Sequence, residues 1–419
     1  MRWARALALL AAQATAVPAW GAAALLQGED ASLSLGGYAR SLAGLQRLSF
    51  ATSRALPPGP LPDHDGAATT VLRLEWKAAL GDRFSAEIHQ RLYLRLESAT
   101  LAFGGQKMGI GASVVPRRSV DLRSVIYDED RLLLEHDIDA LALRANLGDV
   151  DVVLGRQAIT WGVGVLFPVA DLWTGFSPFE LDTTQKRGID ALRLLFSRGR
   201  SLEIEVVVAD RGTPRDLSGG LRIATYGAWA DLYLAVAKQW RELIAFTGAS
   251  VPAGSFKLRA EVAAPFDLDG GEWTRPRVSL GVDWLLSTLT LTLEGHFNGT
   301  GVQRISDYLV HQGSPVVQRG ESYLLGRWYA GAAASWKLSE LFQLTITALC
   351  NVYDPSWALA GAFTYRVTQG TELSLGAYQG VGRIPRIFAD PAGAGLHPRL
   401  GSEFGSAGGV YYLGLSTFF

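Results

Sequence analysis

VYYLGLSTFF, Val410–Phe419, ends the 419-residue chain, and its side chains sort onto two faces. Tyr411, Leu413, Leu415, Thr417 and Phe419 share one face of an extended backbone; Tyr412, Gly414, Ser416 and Phe418 share the other. One face is apolar and the other mostly small or polar. The pattern recurs upstream. FKLRAEVA sets Phe256, Leu258, Ala260 and Val262 against Lys257, Arg259 and Glu261, and LTLTLEGHFN sets Leu289, Leu291, Leu293 and Phe297 against Thr290, Thr292, Glu294 and His296. VLRLEWKAAL turns Arg73, Glu75 and Lys77 to its polar face, and FSAEIHQRLYLRLE turns Glu87, His89, Arg91, Tyr93, Arg95 and Glu97. Runs of about 9–15 residues suit tilted strands that cross a bilayer.

Composition agrees. Hydrophobic residues make up 48% of the chain, yet beyond the N-terminal segment no apolar run approaches the length a membrane-spanning helix needs. The hydrophobicity is distributed by alternation. The start has Arg2 and Arg5, an apolar stretch Ala6–Val17 and small residues at Gly21–Ala24, the layout of a secretory signal peptide over 1–24. The remainder, 25–419, then forms a single domain. A formal net charge of −1 gives no footing for a nucleic-acid partner, and the lone Cys350 has no intramolecular disulfide partner.

A soluble sandwich explains any one strand equally well; link lengths separate the two architectures. Tight links at Leu80–Arg83, Leu147–Val150, Ser197–Arg200, Ser287–Thr288, Ser339–Glu340 and Thr368–Gly370 alternate with long ones at Ala51–Ala68, Ser98–Tyr127, Gly162–Lys186, Gly299–Glu321 and Arg383–Ser406. Short periplasmic turns and long extracellular loops produce that asymmetry in an outer-membrane barrel. Counting strands, with the last ones starting near residues 323, 341, 356, 371 and 409, gives eighteen; Leu221–Pro252 reads as three short strands or two longer ones, and sixteen, the alternative, requires a further strand elsewhere to fail as well. A parity change near Asp139 marks a bulge. Strands facing hydrocarbon must leave no unpaired edge, so the expected fold is all-β: a closed antiparallel transmembrane β-barrel whose first strand pairs with Val410–Phe419. The terminal Phe419, preceded by alternating apolar positions, resembles the recognition signal of bacterial outer-membrane barrel proteins. That resemblance implies the barrel-assembly machinery as a partner and the outer membrane, with its lipid, as the location.

A barrel this wide is not filled by its own side chains. Parity assigns Arg73, Glu75, Lys77, Glu87, His89, Arg91, Arg95, Glu97, Arg193, Lys257, Arg259, Glu261, Glu294, Arg327 and Arg366 to the pore lining. Any one of these charges lines a permeation path or forms a cross-strand ion pair that stiffens the wall. The link 162–186, rich in Phe167 and Trp173, is poorly suited to water. Folded into the mouth it makes a constriction that includes Trp173 and sets Asp171, Glu180 and Asp182 opposite the basic wall; the alternative is an external cap or subunit contact.

The pieces GRQxxxWG, at Gly155–Gly162, and RGxDALRL, at Arg187–Leu194, together with the barrel ending, resemble the alginate-export family and related large Gram-negative porins. The resemblance implies diffusion of a hydrophilic solute or polysaccharide through an eighteen-stranded channel. The balanced charge of the lining departs from what export of an acidic polymer requires. No compact motif joins His89 or His296 to a nucleophile, so the chain reads as a non-enzyme without cofactor or metal. EHDID, Glu135–Asp139, reads as a solvated strand end rather than a calcium site. Two functions follow: a passive channel for hydrophilic solutes, or a plugged barrel that serves as a structural or adhesive scaffold or as a subunit of a secretion machine.

Overall fold

The structure, a computed structural model, describes residues 23–47, 51–52, 64–97, 117–129, 131–173, 185–213, 216–389 and 396–419. Eighteen strands form one ring: β1 (Ala31–Arg47), β2 (His64–Leu80), β3 (Phe84–Glu97), β4 (Leu132–Asn146), β5 (Val150–Gln157), β6 (Ile189–Arg198), β7 (Leu202–Ala209), β8 (Ser218–Tyr226), β9 (Asp231–Gln239), β10 (Glu242–Ala253), β11 (Phe256–Asp267), β12 (Arg277–Leu285), β13 (Leu289–Phe297), β14 (Trp328–Lys337), β15 (Phe342–Asn351), β16 (Ser356–Arg366), β17 (Thr371–Val381) and β18 (Gly409–Phe418). Each pairs antiparallel with its neighbours in sequence. The ring closes between β1 and β18, in register from Tyr38 opposite Phe418 to Arg47 opposite Gly409. The terminal residue completes the seam: Gly37 N–H donates to Phe419 O at 2.7 Å, and Phe419 N–H donates back to Gly37 O at 3.0 Å.

The 221–252 region does hold three strands, β8, β9 and β10, and the expected bulge at Asp139 is present, where the β3–β4 register skips a residue. One boundary differs. The strand expected near 323 starts at Trp328, because 320–327 is bound into the preceding connection, with Asn298 Nδ2 donating to Leu324 O and Gly326 O, both at 3.1 Å. Of the signal-peptide span, residues 1–22 lie outside the described residues. Ala23–Gln27 pairs with Ser32–Leu35 on the part of β1 that extends past the C-terminus.

One end of the ring carries tight links, such as 81–83, 147–149, 254–255 and 286–288, together with the C-terminus. The other carries the long connections, although 240–241 and 352–355 at that end are short as well. Outward-facing residues such as Leu143, Leu234, Leu280, Leu293 and Leu375 are exposed, whereas inward-facing Arg73, Arg156, Glu205 and Glu261 are buried. That inverts the arrangement of a water-soluble domain. Exposed rings rim the outer surface at both ends: Phe84, Phe256, Trp284, Trp336 and Phe342 at the tight end, and Trp273, Trp328, Trp357 and Tyr411 at the other. At the tight end Phe256 stacks on Trp284 with centroids 5.7 Å apart, and Phe342 stacks on the half-buried Tyr365 at 4.8 Å.

Gly37 lies opposite Leu74 next to the seam, and a Cβ there would stand 2.0 Å from the carbonyl oxygen of Arg73. Gly37→Ala must therefore push β1 off β2. It is expected to lower stability by about 2 kcal/mol, read as an earlier unfolding midpoint in urea for the detergent-folded protein; an unchanged midpoint contradicts this packing.

Candidate functional site

After β5 the chain turns inward rather than out. Gly162 makes the turn at φ +106°, and a Cβ there would lie 2.7 Å from a carboxylate oxygen of Glu261. Residues 163–169 then lie against the inner faces of β11 and β13. Glu261 accepts the backbone N–H groups of Val163 (2.6 Å) and Val169 (3.0 Å); Glu294 accepts those of Val165, Leu166 and Phe167, each at 3.1 Å. An irregular segment has no ladder to satisfy its amides, and a buried unsatisfied amide costs about 1–3 kcal/mol. Two wall carboxylates thus substitute for a sheet neighbour. They are themselves oriented: Tyr233 OH donates to Glu261 at 2.7 Å, and Ser279 Oγ donates to Glu294 at 2.6 Å. Arg259 spans wall and segment, gripping Asp283 through two bonds (3.0 and 2.8 Å) and donating to Val163 O at 2.9 Å.

Apolar packing completes the attachment. Trp161 and Trp173 meet edge to face at 4.6 Å within a cluster that includes Ile159, Val169, Ile189, Val207, Ile244 and Phe246. Phe167 reaches further round the ring, stacking on His296 at 5.0 Å and packing with Tyr329 and Leu349. Asp171, expected to face the basic wall, is bonded instead to Lys186 at the other end of its own link; burial pushes its carboxyl up and the lysine opposes this. Glu180 and Asp182 lie outside the described residues.

A second segment lies on the wall at β4–β6. Arg118 donates to both oxygens of Asp137 (2.9 and 2.8 Å), and the N–H groups of Ser119 and Val120 donate to Asp190, each at 3.1 Å. Arg156 donates to Asp190 at 2.8 Å and to Val120 O at 2.5 Å. The EHDID stretch is therefore not a solvated strand end. Glu135, Asp137 and Asp139 are buried, and Asp137 and Asp139 are consumed by arginines, because this strand faces the barrel interior at mid-length. Among the described residues no group of His, Cys, Asp and Glu is arranged to hold a metal ion.

The remaining sequence-assigned residues divide by surroundings. Arg73 is buried between Asp139 (2.5 Å), Glu75 (3.1 Å) and His89 (2.7 Å), while Lys77 reaches Glu75 at 3.4 Å and Glu87 stands 3.7 Å from His89. Arg193 pairs with Glu205 at 2.7 Å. Arg91 stacks over Tyr93 at 4.7 Å, and Arg95 and Lys257 are half-buried on their strands. Arg366 lies near the tight end, 3.7 Å from Glu372. Arg327 is not on a strand: it precedes β14 and donates to Gly301 O at 2.8 Å. The side chain of Glu97 lies outside the described residues. Sequence reasoning missed Arg222, whose inward parity on β8 was readable, and which pairs with Glu203 at 2.6 Å.

It also missed Glu403, for which no periodic signal exists. Glu403 is buried where the 382–408 connection meets the wall and accepts from Leu325 N (2.9 Å), Tyr329 OH (2.5 Å) and Asn351 Nδ2 (2.6 Å). Burial pushes its carboxyl up to about 7, and the three donors oppose that rise.

No family model and no characterised protein matches the sequence, so the alginate-export likeness rests on its two motif pieces and the barrel ending. Solved structures do match. Pseudomonas aeruginosa OccD3 (OpdP) superposes with a TM-score of 0.52 at 11% identity, covering 97% of this chain and 95% of that one. A double variant of OccD1 (OprD) gives 0.52 at 12%, covering 95% and 98%. A Rhodopseudomonas blastica porin variant covers 92% and 100% at a TM-score of 0.43 and 12% identity. The fold is that of a porin-like barrel. Within such a barrel, the 163–169 segment and the Glu403 contact mark where connections fold onto the inner wall.

Because the folded carboxyl of Glu403 holds its proton to higher pH than an unfolded one, the folded state binds more protons between about 4.5 and about 7. Stability of this contact falls as pH rises through that window and then levels off. Hydrogen exchange across 400–408, corrected for intrinsic rates, is expected to show more frequent opening at pH 8 than at pH 5; equal protection contradicts the assignment.

Proposed function

We propose that the chain is a bacterial outer-membrane channel for passive diffusion of small hydrophilic solutes, narrowed by the 162–186 link. The observation that carries this reading is the set of five backbone N–H groups held by Glu261 and Glu294 inside a closed ring. A connection anchored there takes up interior space that a barrel of this strand number leaves open. The exposed outer leucines between two rims of aromatic rings support insertion in a bilayer, with the tight links facing the periplasm and the long connections outside. Closure removes the sheet edge, which hydrocarbon does not tolerate. Interior charges paired with one another suit a static wall and call for no chemistry; the solute then moves down its gradient.

One observation favours the second reading, a plugged barrel. Residues 118–120 are also bound to the inner wall, through Asp137 and Asp190, so a second connection occupies interior space. Swelling of liposomes containing the purified protein separates the two. The channel reading expects swelling in small sugars that declines with solute size. No swelling at any size, with the barrel folded, supports the plug.

If the path runs beside β3, Arg91→Glu together with Arg95→Glu is expected to raise cation preference, read as a shifted reversal potential in a salt gradient. An unchanged potential removes both residues from the path.

A further inference from the structure

One sector of the inner wall differs from the rest. Over β2–β13 the interior carries guanidinium and carboxylate groups, many of them paired across strands. Across β1 and β15–β18 the row level with Tyr412 runs Gly44, Tyr412, Gly376, Ala362 and Thr345, one ring among small uncharged residues. The next inward row towards the long connections brings Tyr378, with Ala360 and Thr347 beside it. Arg40 lies two rows nearer the tight end than Tyr412 and donates to Ser416 Oγ at 2.9 Å. Among the described residues of β1 and β15–β18, neither tyrosine row carries a carboxylate.

The phenol of Tyr412 lies across Gly376. A Cβ there would stand between 2.3 and 2.5 Å from the ring's Cζ, Oη and Cε1 atoms, so the ring rests against the sheet in room that only glycine leaves. It stays part-exposed to the interior, as does Tyr378, whose centroid is 6.5 Å away with its plane turned by 34°. Tyr378 packs against the cluster that contains Phe167. The pair therefore starts where the inward link reaches round the ring, and leads on towards the tight end. An aromatic face is apolar and electron-rich, so it attracts the weakly positive C–H groups of a ligand. The wall supports these rings from one side and leaves the other for a solute. A zwitterion finds no counter-charge for its amine on either row. A pyranose fits better: it has a C–H face for the rings, and hydroxyls round its rim for water, the tyrosine hydroxyls and Ser374, the next inward residue of β17.

We infer that Tyr412 and Tyr378 form a stacking platform on the inner wall for an uncharged pyranose, either a free hexose or one unit of a short neutral oligosaccharide. This names a solute class for the channel and rests on that reading. The flat ring of Tyr412 carries most of the contact, and Gly376 positions it.

Saturation-transfer NMR on the full barrel, folded in an amine-oxide detergent that carries no sugar, reads binding without asking whether the barrel conducts. Glucose is expected to receive transfer, strongest at its ring C–H protons; mannitol, with as many carbons but no ring, is expected to receive far less. In Tyr412→Leu the affinity for glucose, read from the growth of signal with concentration, is expected to fall about fivefold, while Tyr412→Phe keeps it. If the leucine variant does not fold, Gly376→Ala, which lifts the ring off the sheet, carries the same expectation. No transfer to glucose, equal transfer to mannitol, or unchanged affinity in the altered platform overturns the proposal. Glucose binding to a barrel that carries no ion current upholds the platform and contradicts the channel; an ion current without glucose binding does the reverse.

Discussion

The pairing of β1 with β18 is the constraint on which everything else depends. A sheet with leucines on its outside and arginines on its inside has no stable open form, because two unsatisfied edges would remain in an apolar surround. Closing it at Gly37 and Phe419 removes both edges. The ring in turn creates an interior that its own side chains do not fill, and connections fold back into it. Their irregular backbones then need hydrogen-bond partners that strands would have supplied. The wall provides carboxylates for two of them, Glu261 and Glu294 for one segment and Asp190 for another, while Glu403, itself on a connection, accepts from Leu325 of a neighbouring connection.

This accounts for the balanced charge of the interior. Most acidic groups described there are already committed, either to arginines, as Asp283 is to Arg259 and Asp139 is to Arg73, or to backbone amides. Several arginines bridge wall and connection at once; Arg156 binds both Asp190 and Val120 O. Counting charges along the sequence therefore overstates the field that a passing solute would meet, since a tightly paired carboxylate presents little net charge to the water beside it.

The strands were legible because a period of two is visible in any run long enough to cross the barrel. The bulge at Asp139 came out of the alternation, whereas 221–252 was open to two readings, of which the structure takes the three-strand one. The β14 start was misplaced because Tyr323 and Leu325 continue the alternation although their backbone belongs to a connection. Parity also indicates which way a side chain points but not what lies over it. Arg259, Glu261 and Glu294 do face inward, yet the 163–169 segment covers them, and nothing in their own strands encodes that contact. Glu403 was invisible for the same reason: its surroundings are assembled from connections far apart in the chain.

The central claim is that an inward segment, fastened by two carboxylates, narrows an open ring. Single-channel conductance of the double variant Glu261→Ala, Glu294→Ala, compared with the wild type in the same bilayer, tests it most directly. The account predicts that the folded variant conducts more current per channel and fluctuates more, as the freed segment leaves the wall. Identical conductance and noise from a correctly folded variant would contradict it.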